Sequence, residues 1–428
     1  MAGNTVAKTK NLTKEYISRL RKFQPNARLY LVNVLISGMA MGVYRLLLNF
    51  YVLSLGFDEA LLGVLITISS LTALFLALPM GFVSDFIGRK RSLIVGGILI
   101  GLSIFGMILF PSRWMFYAMS VLSGVGQSLW SITMAPFLME NSGEEERTYL
   151  FSFGSGLQML SAFVGNWIGG YLPSWLGGLQ GVSSTDSSAY SSALFLVGTT
   201  FALGLIPLML IHVHKEGKKK STAFAPLEYA KKHPKLLNKL ILPILITSIG
   251  AGLVMPFMNV FFRVVHNQSD QVIGTIFAWG SLAMGLGLLI APPLADRIGK
   301  IQLVVISQAL SVPFLILLGF SPWFWLSAGA YYVRLALMNM SGPIYQTFVM
   351  ESVEPSARAT VASLVSMSWN FGWAFSPIVS GYLQVNYGFG LPFVGTITLY
   401  AVAIVLYWAF FWRDKPMKPE KTTLPVID

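Results

Sequence analysis

Two arginines lie within long apolar stretches, where a charged side chain is energetically costly and therefore a candidate for function. Asn49 follows Arg45 by one helical turn, and Tyr345 lies further along the helical face of Arg334. No acidic residue falls at a comparable depth in any apolar stretch to pair with either arginine. A guanidinium donates paired hydrogen bonds that suit a carboxylate, phosphate or sulfonate. We therefore expect both arginines to contact an anionic ligand, with a structural ion pair or snorkelling to the surface as the alternative.

Amide and aromatic side chains at similar positions extend this predicted binding site. Aromatic rings stack on an organic body, whereas amides orient its polar groups. The residues in question are Tyr44, Asn49, Gln127, Gln158, Asn259, Tyr345, Trp369, Asn370 and Trp373. The sequence has no cysteine, and it contains no metal-ligand cluster, phosphate-binding loop or nucleophile–base constellation. We expect no cofactor, no metal and no enzymatic activity.

The composition is that of an integral membrane protein. Of 428 residues, 54% are hydrophobic and only 11% are charged, whereas soluble domains contain about 25% charged residues. The net charge of +12 comes from residues that lie between apolar stretches. This placement favours the anionic inner leaflet of a membrane, rather than a nucleic acid, as the partner.

Apolar stretches separated by Gly, Pro, Ser and charged residues predict an all-α protein with twelve transmembrane helices. The predicted helices are 29–54, 60–83, 92–111, 115–140, 150–174, 191–212, 238–264, 270–292, 301–320, 323–349, 359–383 and 390–412. They form two six-helix bundles, 29–212 and 238–412, joined by a basic cytoplasmic linker, 213–237. An amphipathic segment, 1–28, precedes the bundles and a tail, 413–428, follows them.

The distribution of basic residues predicts the orientation. On this helix assignment, 26 of the 30 Lys and Arg residues fall on one side of the membrane. Only Arg113 and Arg263 fall on or near the other side. Because basic loops are retained in the cytoplasm, both termini and the linker are predicted to be cytoplasmic, with the cell membrane as the location.

The second half of the sequence repeats the first. A shift of 211 residues places Asp85 on Asp296, Gly88 on Gly299 and Glu140 on Glu351, without gaps over five helices. In the sixth helix the offset falls to 197, because the first half has about 14 additional residues in the Ser-rich segment 181–192. Two six-helix units in the same orientation are typical of transporters in which two bundles move around a central site.

The loops after the second and eighth predicted helices carry a shared motif, Asp85-Phe-Ile-Gly88-Arg89 and Asp296-Arg-Ile-Gly299-Lys. Glycine suits a tight turn, and the aspartates can accept hydrogen bonds from basic side chains. We expect a cytoplasmic latch that forms in one conformer and breaks in another; solvated topology charges are the alternative. Its predicted members are Asp85, Gly88, Arg89, Arg91, Glu140, Arg147, Asp296, Arg297, Gly299, Glu351 and Arg358.

Both loops resemble the signature loop of the major facilitator superfamily, and the repeat and topology agree with that resemblance. It implies the major facilitator fold, with helices 1, 4, 7 and 10 lining the pathway. The sequence Gly165-Asn-Trp-Ile-Gly-Gly170 is similar to the antiporter motif of drug exporters in this family, but Asn166 replaces its Pro. Gly124 stands where many proton-coupled exporters have an Arg. Small residues at these positions can equally serve the close approach of helices 5 and 8, or of 2 and 11.

These features together predict a monomeric secondary transporter that moves a small amphipathic organic solute by alternating access. The two arginines favour an anionic solute. Export is slightly favoured by the helix 5 motif. A broad-specificity proton-coupled drug exporter is the alternative, although a cation–proton exchanger would need a buried carboxylate, which the predicted spans lack near their middle. A non-transporting sensor or lipid scramblase on the same scaffold is the alternative from another class.

Overall fold

A computed structural model of the chain describes residues 23–212, 234–353 and 358–412. Within the helices, the side chains of residues 144–148 and 359–360 lie outside this description. Most of the predicted amphipathic segment and linker, the whole C-terminal tail and the side chain of Arg147 therefore fall outside the described residues.

The described residues form helices in all twelve predicted stretches and contain no β-strand. Nine of these stretches are uninterrupted helices in the described residues, and the other three are given below with their parts. The helices are α1 (Pro25–Ser54), α2 (Glu59–Phe75 and Ala77–Ile87), α3 (Arg89–Leu109), α4 (Arg113–Glu140), α5 (Glu144–Gln180), α6 (Ser187–Gly204 and Ile206–Met209), α7 (Pro234–Val254, the 3₁₀ turn Met255–Phe257, and Met258–Val264), α8 (Asp270–Ile298), α9 (Lys300–Phe320), α10 (Phe324–Glu351), α11 (Arg358–Tyr387) and α12 (Gly390–Phe411).

Three of these helices, α2, α6 and α7, are interrupted within the apolar stretch, α6 at Leu205. The two parts of α2 meet at Leu76 with a bend of 58°. In α7 the 3₁₀ turn contains Pro256, whose ring and missing N–H disturb a continuous α-helix. At the turns before α3 and α9, Gly88 and Gly299 have φ values of 90° and 99°. Glycine adopts this conformation without the steric penalty that other residues incur, in agreement with the tight turns predicted there.

By length and composition, seven of the described helices, or eight counting the bent α2, could cross a membrane. The remaining four helices are α4, α5, α10 and α11. They are longer than a typical span, but their mean hydropathy is lower. Polar residues in a span usually face a protein interior or a water-filled cavity rather than lipid. The four less apolar helices are therefore the ones expected to face a polar path.

The chain separates into two compact units. Unit 1 comprises the described residues of Met1–Lys220 together with Met255–Gly285 and Pro377–Gly388; unit 2 comprises those of Ser221–Val254, Leu286–Ser376 and Phe389–Asp428. Unit 1 thus includes one end of α7, of α8 and of α11 besides α1 to α6. In unit 2 a core of buried apolar residues includes Leu240, Val304, Ile344 and Val349. The bundle boundaries 29–212 and 238–412 stay predictions of the sequence repeat.

Candidate functional site

Arg45 lies two-thirds of the way along α1 and has an exposed side chain, although its neighbours Tyr44 and Leu46 are buried. Within the described part of the chain, no hydrogen bond or ion pair engages its guanidinium. A charged group in this position needs water or a ligand to replace lost hydration. Arg45 therefore presents an unneutralised positive charge along an apolar helix.

One turn further along α1, Asn49 is buried and hydrogen-bonded to the broken part of α7. Its Nδ2 donates to Asn259 Oδ1 (2.9 Å) and to the carbonyl of Pro256 (3.0 Å). Asn259 Nδ2 donates in turn to the carbonyl of Leu46 (2.8 Å). Both predicted site residues are thus brought together within unit 1, and the amide nitrogen of each is engaged by protein rather than open to a ligand.

Arg334 lies in α10 and is buried, with 1% of its surface exposed. Its Nη2 donates to the hydroxyl of Tyr400 in α12 (3.0 Å), and its guanidinium carbon lies 5.6 Å from the centre of that ring. The two arginines lie in similar apolar stretches of the sequence, but their surroundings in the structure differ. Arg334 is buried within unit 2, whereas Arg45 is exposed and has no partner among the described residues.

The other predicted binding residues in unit 1 also include both buried and exposed side chains. Tyr44 is buried, with its hydroxyl 3.7 Å from Met107 Sδ in α3. Gln127 in α4 is exposed and donates to the hydroxyls of Ser69 (3.1 Å) and Ser123 (2.9 Å). Gln158 in α5 is exposed. The exposed amides, rather than Tyr44, are thus available to a solute.

In unit 2, Tyr345 is buried and donates to the carbonyl of Leu240 (2.5 Å). The rings of Trp369 and Trp373 in α11 are stacked, with centroids 6.4 Å apart and an angle of 20° between planes. Trp369 and the adjacent Asn370 are exposed. The stacked tryptophans thus present an aromatic surface that is exposed at Trp369, whereas the hydroxyl of Tyr345 is hydrogen-bonded within the protein.

The motif loop after α2 forms a compact ionic network in unit 1. Arg89 Nη1 lies 2.7 Å from Asp85 Oδ1 and donates to Ser84 Oγ (2.9 Å), while its Nε lies 3.2 Å from Glu140 Oε1. Thr133 in α4 also donates to Ser84 Oγ (2.9 Å). The loop is thereby fixed to the end of α4, so that α2, α3 and α4 are joined at this end.

The equivalent loop in unit 2 makes the equivalent pair, between Lys300 and Glu351. The 211-residue shift places Lys300 on Arg89 and Glu351 on Glu140, so the repeat could have identified Lys300, which motif reasoning missed. Arg358 Nε donates to the carbonyl of Met350 (2.9 Å). The predicted latch residues Arg91, Asp296 and Arg297 are exposed.

Glycines of the exporter-like motif lie where helices cross. A Cβ on Gly170 would lie 3.1 Å from the Cα of Gly274 in α8, and one on Gly274 would lie 2.6 Å from the carbonyl oxygen of Asn166. The repeat mates of these glycines, Gly381 and Gly63, are equally tight in the crossing of α11 with α2. The close approaches of helices 5 with 8 and 2 with 11 are thus present.

The sequence analysis overlooked a cluster of ionic and aromatic side chains in unit 1, near the turn that contains Asn267. Arg263 in α7 forms an ion pair with Asp270, the first residue of α8, and donates to the hydroxyl of Tyr190 in α6 (2.8 Å). Tyr190 donates to Asp270 Oδ2 (2.6 Å), and Arg263 lies 3.5 Å from the ring centre of Phe50 in α1. The signal was present, because Arg263 and Asp270 flank a short turn at the predicted ends of two spans.

His266 lies in the same turn, against the rings of Phe261 and Phe262 at centroid distances of 5.3 and 6.0 Å. Burial lowers the pKa of His266 below its usual range, because removal from water disfavours the charged imidazolium. At neutral pH this side chain is therefore an uncharged packing element of the turn.

Comparison with known proteins agrees with this architecture. The profile of the Major Facilitator Superfamily matches residues 30–269 and 240–426. The fold of a variant of the nucleoside transporter NupG is similar, with a TM-score of 0.72 at 16% identity over 91% of this chain and 100% of that one. The chain belongs to the Major Facilitator Superfamily. It is an integral membrane transporter with the twelve-helix fold of that family, and not an enzyme, as predicted.

Two relatives are resistance proteins. The chain is 24% identical to multidrug resistance protein MdtG of Proteus mirabilis (strain HI4320) over 42% of this chain and 46% of that protein. That alignment spans about half the length of the relative. The chain is also 22% identical to the class H tetracycline resistance protein of Pasteurella multocida, over 88% of this chain and 93% of that protein.

Proposed function

We propose that this transporter exports a small amphipathic organic anion, and that Arg45 holds the anionic group. The observation that carries this proposal is the exposed guanidinium of Arg45, which has no hydrogen-bond or ion-pair partner among the described residues, in a helix whose Asn49, one turn further on, is hydrogen-bonded within the protein. A bound carboxylate or sulfonate would accept two of its N–H groups and restore the interactions lost with water. Arg334, which is engaged by Tyr400, holds α10 against α12.

The exposed amides of Gln127 and Gln158 are the further contacts that we assign to the solute within unit 1. Gln127 is oriented by Ser69 and Ser123, which leaves its carbonyl oxygen to accept a hydrogen bond from a polar group. Trp369, Asn370 and Trp373, which lie in unit 2, stay predictions of the sequence and are not part of the site that we assign within unit 1.

The proposed orientation follows the positive-inside rule. The end of unit 1 that contains Gly88, which we call the Gly88 end, is cytoplasmic, and so are both termini. The opposite end, which contains Asn267 and which we call the Asn267 end, faces outward. The direction of transport rests on the names of the resistance-protein relatives and on the glycine-rich motif of α5.

A transport assay in proteoliposomes tests this proposal. Radiolabelled 1-naphthalenesulfonate, tetraphenylphosphonium and glucose represent an organic anion, a lipophilic cation and a neutral solute. The variants are Arg45→Gln and, as a matched loss of one exposed positive charge outside the spans, Arg113→Gln. A hydrogen bond to a charged group contributes about 1.5–3 kcal/mol, so we expect Arg45→Gln to reduce anion transport by about 10- to 100-fold.

Unchanged transport by Arg113→Gln, together with loss in Arg45→Gln, supports an anion site at Arg45. Transport of tetraphenylphosphonium by both the wild type and Arg45→Gln, without anion transport, contradicts it. That second result would favour a broad-specificity drug exporter. The names of two relatives, MdtG and the tetracycline resistance protein, support this alternative.

A further inference from the structure

A cavity lined by polar and apolar residues lies at the Asn267 end of unit 1, where α1 ends beyond Arg45. Its volume is about 500 Å³, and its lining includes Ser54, Ser174, Thr185, Gln271 and Arg263. Cavities that bind small organic ligands typically have volumes of about 300–1,000 Å³. The cavity is thus large enough for a small organic molecule, and most of these side chains offer hydrogen bonds.

The cavity lining contains one arginine and one aspartate, Arg263 and Asp270, which form an ion pair with each other. Asp270 keeps 5% of its side chain exposed, whereas Arg263 keeps 22%, and Tyr190 takes up the other carboxylate oxygen of Asp270. Both polar contacts of Arg263 in the described part of the chain use Nη2. Because a guanidinium has five N–H donors, Nη1 and Nε retain donors for a ligand in the cavity that Arg263 lines.

One wall of the cavity is an addition to the repeated fold. Ser184 and Thr185 line it, and both belong to the segment 181–192, in which the first half has its extra residues. The second half has no counterpart of this wall. The cavity is therefore a particular feature of the first half, and not a consequence of the pseudo-symmetric bundle.

We propose that this cavity binds one small organic carboxylate or sulfonate, with Arg263 as its anchor. The ring of Phe50 holds the guanidinium from one side and Asp270 holds it through Nη2, so that the remaining donors are pre-oriented. The hydroxyls of Ser174 and Thr185 and the amide of Gln271 surround the rest of the ligand. This site is separate from the one that we assign to Arg45.

Counting bound benzoate on the purified full chain tests the inference. Equilibrium dialysis with radiolabelled benzoate gives the number bound per chain for wild type, Arg263→Gln and Thr185→Trp. The indole of Thr185→Trp fills the cavity without removing the Arg263–Asp270 pair. Val182→Trp, an exposed substitution in the same segment but outside the cavity lining, is the matched control.

We expect Arg263→Gln and Thr185→Trp each to bind one benzoate fewer per chain than wild type and Val182→Trp. Equal numbers in all four proteins, or no benzoate bound by wild type, would overturn the inference. Arg45→Gln is measured alongside to separate the two proposals. If Arg45→Gln binds as many benzoate molecules per chain as wild type and Arg263→Gln binds one fewer, the result contradicts the site at Arg45 and supports the site at Arg263.

Discussion

The two intramembrane arginines illustrate how one residue type takes two roles. Arg334 is enclosed by protein and donates to Tyr400, whereas Arg45 is exposed and unpaired within the described residues. A buried cation has lost its hydration and depends on the protein for replacement. We therefore expect Arg334 to contribute to the stability of unit 2, whereas Arg45 is the residue that we propose for solute binding.

Removal of one hydroxyl tests the role of Arg334. Tyr400→Phe keeps the ring near the guanidinium but leaves one buried N–H group without its acceptor, which typically destabilises by about 1–3 kcal/mol. We expect a lower unfolding temperature in detergent, with the anion transport rate of the remaining folded protein unchanged. Tyr387→Phe, at an exposed position, is the control. A Tyr400→Phe protein as stable as this control would show that the hydrogen bond contributes nothing.

The sequence identified the unusual residues but could not distinguish their surroundings. Arg45 and Arg334 each appear as an isolated charge in an apolar stretch, and only the packing of α12 against α10 gives Arg334 its partner. The hydrogen bond from Asn49 Nδ2 to Asn259 Oδ1 joins residues 210 positions apart, a contact that helical periodicity does not predict. Arg263, at the predicted end of a span, entered the sequence analysis only as a charge on the outer side, and Asp270 was not considered.

At the scale of helices, the crossings of α5 with α8 and of α2 with α11 depend on glycine. Gly274→Ala would add a Cβ 2.6 Å from the carbonyl oxygen of Asn166 and 2.7 Å from the Cα of Gly170. Because both neighbours are backbone, the helices must separate, and overpacking of this kind costs about 1–3 kcal/mol. We expect a lower unfolding temperature.

Gly178→Ala is the matched control, since it lies in α5 of the same unit and an added Cβ there meets nothing within 4 Å. Alanine is favoured over glycine in a helix by about 1 kcal/mol, so this variant should be slightly more stable than wild type. Equal unfolding temperatures for Gly274→Ala and Gly178→Ala would mean that the crossing is not limited by backbone contact.

The existence and order of the helices followed from the sequence, because apolar stretches of about 20 residues are the dominant signal in a membrane protein. Their interruptions did not. The span predicted at 238–264 contains the 3₁₀ turn Met255–Phe257, and α2 bends at Leu76, three residues before Pro79. A proline stands at each interruption, but Pro136, Pro313 and Pro343 lie within uninterrupted helices, so proline alone did not predict the breaks. α5 extends from Glu144 to Gln180, beyond the predicted 150–174, because the polar residues 144–149 continue the helix at one end and residues 175–180 continue it past Pro173 at the other.

For the whole molecule, the contacts within unit 1 bear on mechanism. At the Asn267 end, helices of the first repeat contact parts of α7, α8 and α11, which belong to the second repeat. The contacts include the asparagine pair, the Arg263 cluster and the two glycine crossings. If transport occurs by alternating access, this end must open during each cycle, and every one of these contacts must break or rearrange.

A reversible cross-link at this end tests that requirement. The chain has no cysteine, so Ser174→Cys with Gln271→Cys introduces the only thiols. Gln271 Nε2 donates to Ser174 Oγ (3.0 Å), which places α5 and α8 within reach of a short bifunctional thiol reagent. We expect the cross-linked protein to lose anion transport and to regain it when the link is cleaved by reductant, with each single-cysteine variant unaffected by the same treatment. Transport at the uncross-linked rate by a fully linked protein would contradict alternating access through separation of α5 and α8, because the solute would then pass while this end stays closed.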